Sequence, residues 1–174
     1  MKSVKDYIIS IPDFPSKGII FRDVTSVLES PEGYALAIDE LNKLLDGVDY
    51  DLIAGTESRG FIFGAPLAYM NKKGFIPVRK KGKLPRETVE MSYDQEYGSA
   101  TIEIHKDAIK PGDKVVLVDD LIATGGTIQA AAKLVEELGG EVVKMIFLIE
   151  LTDLGGRKLL EGYDVASVVQ YEGE

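Results

Sequence analysis

Val115 to Thr127 reads Val-Val-Leu-Val-Asp-Asp-Leu-Ile-Ala-Thr-Gly-Gly-Thr. Its first four residues are apolar and three of them are β-branched, the composition of a buried strand. Asp119 and Asp120 are expected to end that strand. Gly125, Gly126 and Thr127 follow in a short loop. Then Ile128, Ala131, Ala132, Val135 and Leu138 recur at helical spacing. The order is therefore strand, acidic end, Gly/Thr-rich loop, helix. Such a loop suits a phosphate, because N–H groups at a helix N-terminus lack intrahelical partners and carry partial positive charge. Glycine lets the backbone approach an anion, and threonine hydroxyls add donors. Neither the P-loop spacing nor G-x-G-x-x-G is present. Two carboxylates beside a phosphate loop call for something more than phosphate. Sugar hydroxyls carried by a sugar phosphate satisfy both halves.

The bulk numbers narrow the class. The chain has 174 residues, 45% hydrophobic and 28% charged, enough for one domain spanning 1–174 with a sizeable core. A net charge of −9 argues against nucleic acid or an anionic membrane as partner. No apolar stretch reaches membrane-span length, and no signal-type apolar core follows Met1. Without cysteine there is no disulfide or thiolate chemistry, which fits a reducing, cytoplasmic setting. A single histidine, His105, makes a zinc site improbable, and the residue itself reads as structural or surface.

Outward from the central stretch, strands and helices alternate, so a mostly parallel twisted sheet flanked by helices is expected. Val4 to Ser10 reads as a short turn or helix. Ile11 to Thr25 is apolar but broken by Pro12, Pro15 and Gly18, and reads as irregular. It either covers the core or caps a flat ligand. Ser30 to Leu45 is a helix with Ser30 as cap and Pro31 in its first turn, ended by Gly47. Leu52 to Ala54 is a strand, Gly55 to Gly60 a loop containing Arg59, and about 61–71 a helix. Phe75 to Val78 is a strand followed by the basic run Arg79 to Arg86, placed where parallel sheets bind ligands. Thr88 to Tyr93 and Ala100 to Ile104 form a hairpin around a polar tip, Asp94 to Gly98, suited to closing over a reactive intermediate. Val142 to Leu151 and Val165 to Gln170 are strands, with a short helix between them in Gly155 to Gly162.

Val-Asp-Asp-Leu-Ile-Ala-Thr-Gly-Gly-Thr resembles the phosphoribosyl pyrophosphate (PRPP) motif of the type I phosphoribosyltransferases. The Ala-Thr-Gly-Gly-Thr ending, the N-terminal segment and Glu96-Tyr97-Gly98 resemble the adenine-specific branch. The resemblance implies an α/β fold with an N-terminal hood (1–27) and a flexible hairpin (87–104). The implied enzyme converts adenine and PRPP to AMP and pyrophosphate through an oxocarbenium-like sugar, with magnesium as cofactor and a homodimer as assembly. By the same resemblance, Ala123, Thr124, Gly125, Gly126 and Thr127 hold the sugar phosphate, and Asp119 and Asp120 hold the ribose. Glu57, Ser58 and Arg59, with a non-proline cis peptide near Glu57–Ser58, hold pyrophosphate together with Arg79, Lys80 and Lys83. Ile20, Phe21 and Arg22 enclose and read adenine. Glu96 is the proton-transfer group and Tyr97 belongs to the flexible loop. Magnesium is expected to bind through substrate and water rather than directly through the protein. The 6-oxopurine branch has an aspartate where this chain has Ala123, which disfavours hypoxanthine and guanine. A transferase for another base, such as xanthine, and a non-catalytic PRPP-binding regulator are the alternative readings.

Overall fold

The computed structural model describes residues 1–95 and 98–173. A 3₁₀ turn at Val4–Tyr7 leads into β1 (Ile9–Pro12), β2 (Ile20–Asp23) and the single turn α1 (Thr25–Leu28). Then come α2 (Pro31–Lys43), β3 (Leu52–Thr56), α3 (Arg59–Met70) and β4 (Gly74–Lys80). The hairpin strands are β5 (Thr88–Gln95) and β6 (Gly98–His105). The chain continues through β7 (Lys114–Ile122), α4 (Gly126–Glu137), β8 (Glu141–Leu151), α5 (Gly156–Leu159) and β9 (Val165–Tyr171).

The main sheet has the order β5-β6-β4-β3-β7-β8-β9. β4, β3, β7, β8 and β9 are mutually parallel, and the β5–β6 hairpin adds antiparallel strands at the β4 edge. The alternation of side chains along the central strands builds two cores. Val116 and Val118 of β7 and Ile146 and Leu148 of β8 pack with α2 and α3. Val115 and Leu117, with Met145 and Phe147, pack with α4 on the other face. Burial on both sides explains why β7 is apolar without interruption from Val115 to Val118. The helical stripe read from the sequence is buried as expected: Ile128, Ala131, Ala132 and Val135 are all within the core.

The connections run in opposite directions from the centre. β3 passes through α3 to β4 on one side, and β7 passes through α4 to β8 on the other. β3 and β7 are thus the topological switch point, where an open α/β sheet forms a crevice at its carboxyl edge.

Several sequence expectations are corrected. Ile11–Thr25 is not wholly irregular: β1 and β2 pair antiparallel, Ser10 opposite Arg22 and Ile11 opposite Phe21. Of the residues that mark it as irregular, Pro15 and Gly18 lie in the turn between the two strands, and Pro12 closes β1. Asp119 and Asp120 do not end β7. Its ladder to β8 continues through Leu121 opposite Ile149 and Ile122 opposite Glu150. Gly126 and Thr127 are helical rather than in the loop, where only Gly125 remains as the N-cap. Arg79 and Lys80 belong to β4 rather than to the run after it. α2 ends at Lys43, and the chain turns further before the left-handed Gly47 (φ 75°). His105 closes β6 and is buried, where its Nε2 accepts the Arg86 N–H at 3.3 Å.

Candidate functional site

The crevice at the switch point opens into a cleft of about 720 Å³. Its walls come from the end of β3 and the start of α3 (Thr56, Glu57, Ser58, Arg59), from β4 (Val78, Arg79, Lys80) with Lys81, and from the hairpin (Tyr93, Gln95, Thr101). Asp119, Asp120 and Thr127 complete it. A smaller compartment of about 130 Å³ adjoins it, lined by Asp119, Phe147 and the Ala123–Thr127 loop.

The position of the two aspartates follows from the sheet. β3 pairs with β7 only as far as Gly55 opposite Val118. Beyond that, β7 is bonded to β8 alone, and its β3 side is open. Successive carboxylates normally point to opposite faces. Here both border the cleft, because one edge of the strand faces it. Asp119 Oδ1 accepts the Asp120 N–H at 2.8 Å. Asp120, only 4% exposed, has Oδ2 2.6 Å from Arg59 Nε, an ion pair without hydrogen-bond alignment. Thr56 Oγ1 is likewise buried without a hydrogen-bond partner among the described residues. Burial, then the neighbouring Asp120 charge and hydrogen bond, push the Asp119 carboxyl well above its ordinary value.

On the β7 side, α4 starts at Gly126. Its N-cap, Gly125, has φ +88°, a left-handed conformation that glycine adopts without steric cost. Gly125 offers no side-chain cap, so the first N–H groups of α4 are left for an anion. The Thr127 hydroxyl donates to Tyr93 Oη at 2.9 Å, which ties the hairpin to the start of α4.

On the β3 side, the Glu57–Ser58 peptide is cis, at the place the resemblance implied. The Glu57 carboxylate accepts from Arg79 Nε (3.1 Å), the Lys80 N–H (3.1 Å) and Lys83 Nζ (2.8 Å). Burial alone would raise this carboxyl, but those three donors outweigh it and hold it down at about 2. Arg79 and Lys83 are therefore both engaged by Glu57, and Lys83 does not line the cleft. Lys80 lines it, together with Lys81, which the sequence reading did not single out. Thr56 belongs to the loop read at Gly55–Gly60, whereas Gln95 and Thr101 carry no local mark of a lining role.

The hood residues stand apart from these walls. Phe21 meets Phe14 edge to face at 5.2 Å, and the Arg22 guanidinium lies 4.0 Å from the Tyr171 ring centre. Arg22 Nη1 also donates to Ser10 Oγ at 2.6 Å, and Ile20 is exposed. None of these three lines the 720 Å³ cleft. Glu96 and Tyr97 lie outside the described residues.

A parallel sheet with its carboxylate pair between two anion-ready loops defines the type I phosphoribosyltransferase class. The chain belongs to the phosphoribosyltransferase family: the phosphoribosyl transferase domain model matches residues 23–170. It is 70% identical to the adenine phosphoribosyltransferase of Agathobacter rectalis over the full length of both chains. The crystal structure of adenine phosphoribosyltransferase from Thermoanaerobacter pseudethanolicus superposes with a TM-score of 0.92 at 56% identity, covering 97% of this chain and 98% of that one. The enzyme from Saccharomyces cerevisiae, solved with an imino-altritol bisphosphate and adenine, gives 0.88 at 42% identity, covering 95% and 96%. Within the family the chain groups with these enzymes, and its activity is adenine phosphoribosyl transfer, a reaction of purine salvage.

Two outcomes follow from the charges. Glu57→Gln is expected to lower stability at neutral pH by about 1 kcal/mol, because solvent at the partly exposed Arg79 and Lys83 screens the pairs that hold the carboxyl down. Because the folded value is depressed, the contribution is complete above the ordinary 4.5 and is lost as pH falls toward about 2. Urea unfolding at pH 7 and pH 3 checks this, and equal differences at both would refute it. Asp119→Asn should raise the Tm of the protein without substrate, because it removes a carboxylate whose charged form burial and Asp120 disfavour. A raised folded value means the charged form destabilises as pH climbs, so the gain should appear at pH 8 and close toward pH 3.8. An unchanged Tm at pH 8 would contradict it.

Proposed function

We propose that PRPP lies along the crevice with its sugar phosphate on Ala123–Thr127, its ribose hydroxyls on Asp119 and Asp120, and its pyrophosphate on Glu57–Arg59. The observation that carries this reading is the carboxylate pair on the open edge of β7, set between the two anion-ready loops. Fixing both ends of the donor converts a diffusional encounter into a positioned one. The bond from the anomeric carbon to pyrophosphate breaks with its electron pair leaving on oxygen. A ring nitrogen of adenine then bonds to that carbon with inversion. As positive charge grows on the sugar, the buried carboxylates stabilise it through a site of low dielectric. The proton released from the purine passes to a base, a role assigned by resemblance to Glu96.

Arg59 and the Arg79, Lys80 and Lys83 cations stabilise the departing charge. Arg59, Arg79 and Lys83 each sit on a carboxylate. A pyrophosphate carries more negative charge than one carboxylate, so it competes for them. The backbone N–H groups at Ser58 and Arg59 join in, since the Glu57 carboxylate itself is turned to the cations. Adenine is read by the backbones of Ile20 and Arg22 beside the Phe21 ring. The adenine bound by the yeast relative supports a purine site. The Ala123 side chain offers no acid that would favour a 6-oxopurine.

Magnesium fits this donor set. Among the described residues no group of three or more acidic or imidazole side chains converges, and Asp120 Oδ2 is already paired with Arg59. The site therefore suits an ion held mainly through substrate oxygens and water rather than by a cage of protein ligands. When bound, magnesium neutralises charge on the leaving pyrophosphate. A homodimer is supported by exposed apolar side chains on the hood (Ile9, Phe14, Ile19, Ile20) and on α3 (Tyr69, Met70). A cytoplasmic location fits the absence of cysteine. No helix among the described residues is long and apolar enough to cross a membrane.

Asp120→Asn should lower kcat for adenine by about 10²–10³-fold, the usual range for removing one preorganised electrostatic group. Circular dichroism and Tm would show the fold retained, and near-normal turnover would remove Asp120 from the site. Chelation of divalent ions should abolish AMP formation and magnesium should restore it. Full turnover in excess chelator would overturn the metal assignment.

A further inference from the structure

Next to the Ala123–Gly125 loop, and not among the residues that line the cleft, lies an ion pair with a buried carboxylate that the proposed chemistry does not use. Glu150, 4% exposed, stands in β8 opposite Ile122 of β7 and Gln170 of β9. Arg157 grips it with a fork: Nε to Oε2 at 2.7 Å and Nη2 to Oε1 at 3.0 Å. Its remaining Nη1 donates to the Val165 carbonyl at 2.8 Å, and Ser167 Oγ donates to Glu150 Oε1 at 2.6 Å. The four-residue α5, too short to hold its own position, is thereby pinned to the sheet. Gly156, immediately before Arg157, is pressed against the loop after β7. A Cβ at 156 would stand 2.6 Å from the Ala123 carbonyl oxygen and 2.8 Å from the Ile122 side chain. From the other side, a Cβ on Gly125 would stand 3.3 Å from the Gly156 carbonyl oxygen. The Gln129 amide of α4 reaches the Leu159 carbonyl at 3.4 Å.

We infer that Gly156 and Arg157 are positioning residues for the sugar phosphate: the Glu150–Arg157 pair fixes α5, and the bare backbone of Gly156 is the floor on which Ala123–Gly125 rests. This rests on the reading of Ala123–Thr127 as the phosphate loop. The physical basis is tolerance. A binding loop must be held within about 0.5 Å of its productive geometry by a supporting shell, and a displacement of about 1 Å costs on the order of 10²-fold. Backbone glycine at 156 lets the supporting segment approach as near as a carbonyl permits. Any side chain there lifts the loop. Lysine at 157 keeps the charge but not the fork, so α5 loses its fixed orientation.

The test compares Gly156→Ala, Arg157→Lys and Thr127→Ala with the wild type. Calorimetry measures ribose 5-phosphate and pyrophosphate binding separately, and kinetics gives KM for PRPP and for adenine. Gly156→Ala and Arg157→Lys should weaken ribose 5-phosphate by about 10-fold or more and raise KM for PRPP in parallel. Pyrophosphate affinity and KM for adenine should stay within about twofold, a selectivity that general destabilisation would not produce. Ribose 5-phosphate binding at the wild-type level in both variants, with Thr127→Ala impaired, overturns the positioning role and leaves the loop assignment standing. Parallel loss of ribose 5-phosphate and pyrophosphate also overturns it, as a folding effect. If Thr127→Ala binds ribose 5-phosphate like the wild type, the loop assignment fails and the positioning role fails with it.

Discussion

The site depends on one interruption of pairing. β7 is bonded on both sides up to Val118, and beyond that only to β8. β3 leaves it because its own chain turns into α3, which crosses back toward β4. The divergence opens a crevice at the one place where the strand's polar groups and two adjacent carboxylates face it. The N-termini of α3 and α4 stand on either side of the same opening, because each follows a strand that ends there. A sheet paired throughout would present Asp119 and Asp120 to opposite faces.

The second constraint is charge. The chain is acidic overall, yet its cleft gathers Arg59, Arg79, Lys80 and Lys81. A cluster of like charges is unfavourable unless it is compensated, and carboxylates at the same edge do so. Asp120 holds Arg59, and Glu57 holds Arg79 and Lys83. These pairs are partly exposed on the cationic side, so their net worth is modest and their exchange for a phosphate-bearing ligand is easy. The Glu150–Arg157 pair lies outside the cleft, with the Glu150 carboxylate buried and held by both Arg157 and Ser167.

The gap between sequence and structure falls where residues distant in the chain decide the outcome. The extent of β7 was misjudged because two aspartates look like a strand end. They are tolerated mid-strand only because β8 continues alongside. The hood looked irregular because its prolines and glycine outweigh its short strands, and its pairing of Ser10 with Arg22 has no periodic signature. Arg79, Lys80 and Lys83 were read as one basic run, but the partner that distinguishes them, Glu57, lies more than twenty positions earlier. Tyr93 reaches Thr127 across an even longer separation.

What the sequence determined by itself was local: the alternation of strands and helices, the buried helical stripe from Ile128 to Val135, the loop chemistry of Ala123–Thr127 and the carboxylate pair. These are properties of neighbouring residues, set by periodicity, capping and side-chain chemistry. What only the tertiary structure decided was which elements meet. The order of strands in the sheet places the switch between β3 and β7, turns both aspartates to one cleft, puts Arg59 on Asp120, and lays Gly156 against the Ala123–Gly125 loop. The physical reason is that strand order and close packing are settled by which buried faces fit together across the whole chain, and no short window of sequence contains that comparison.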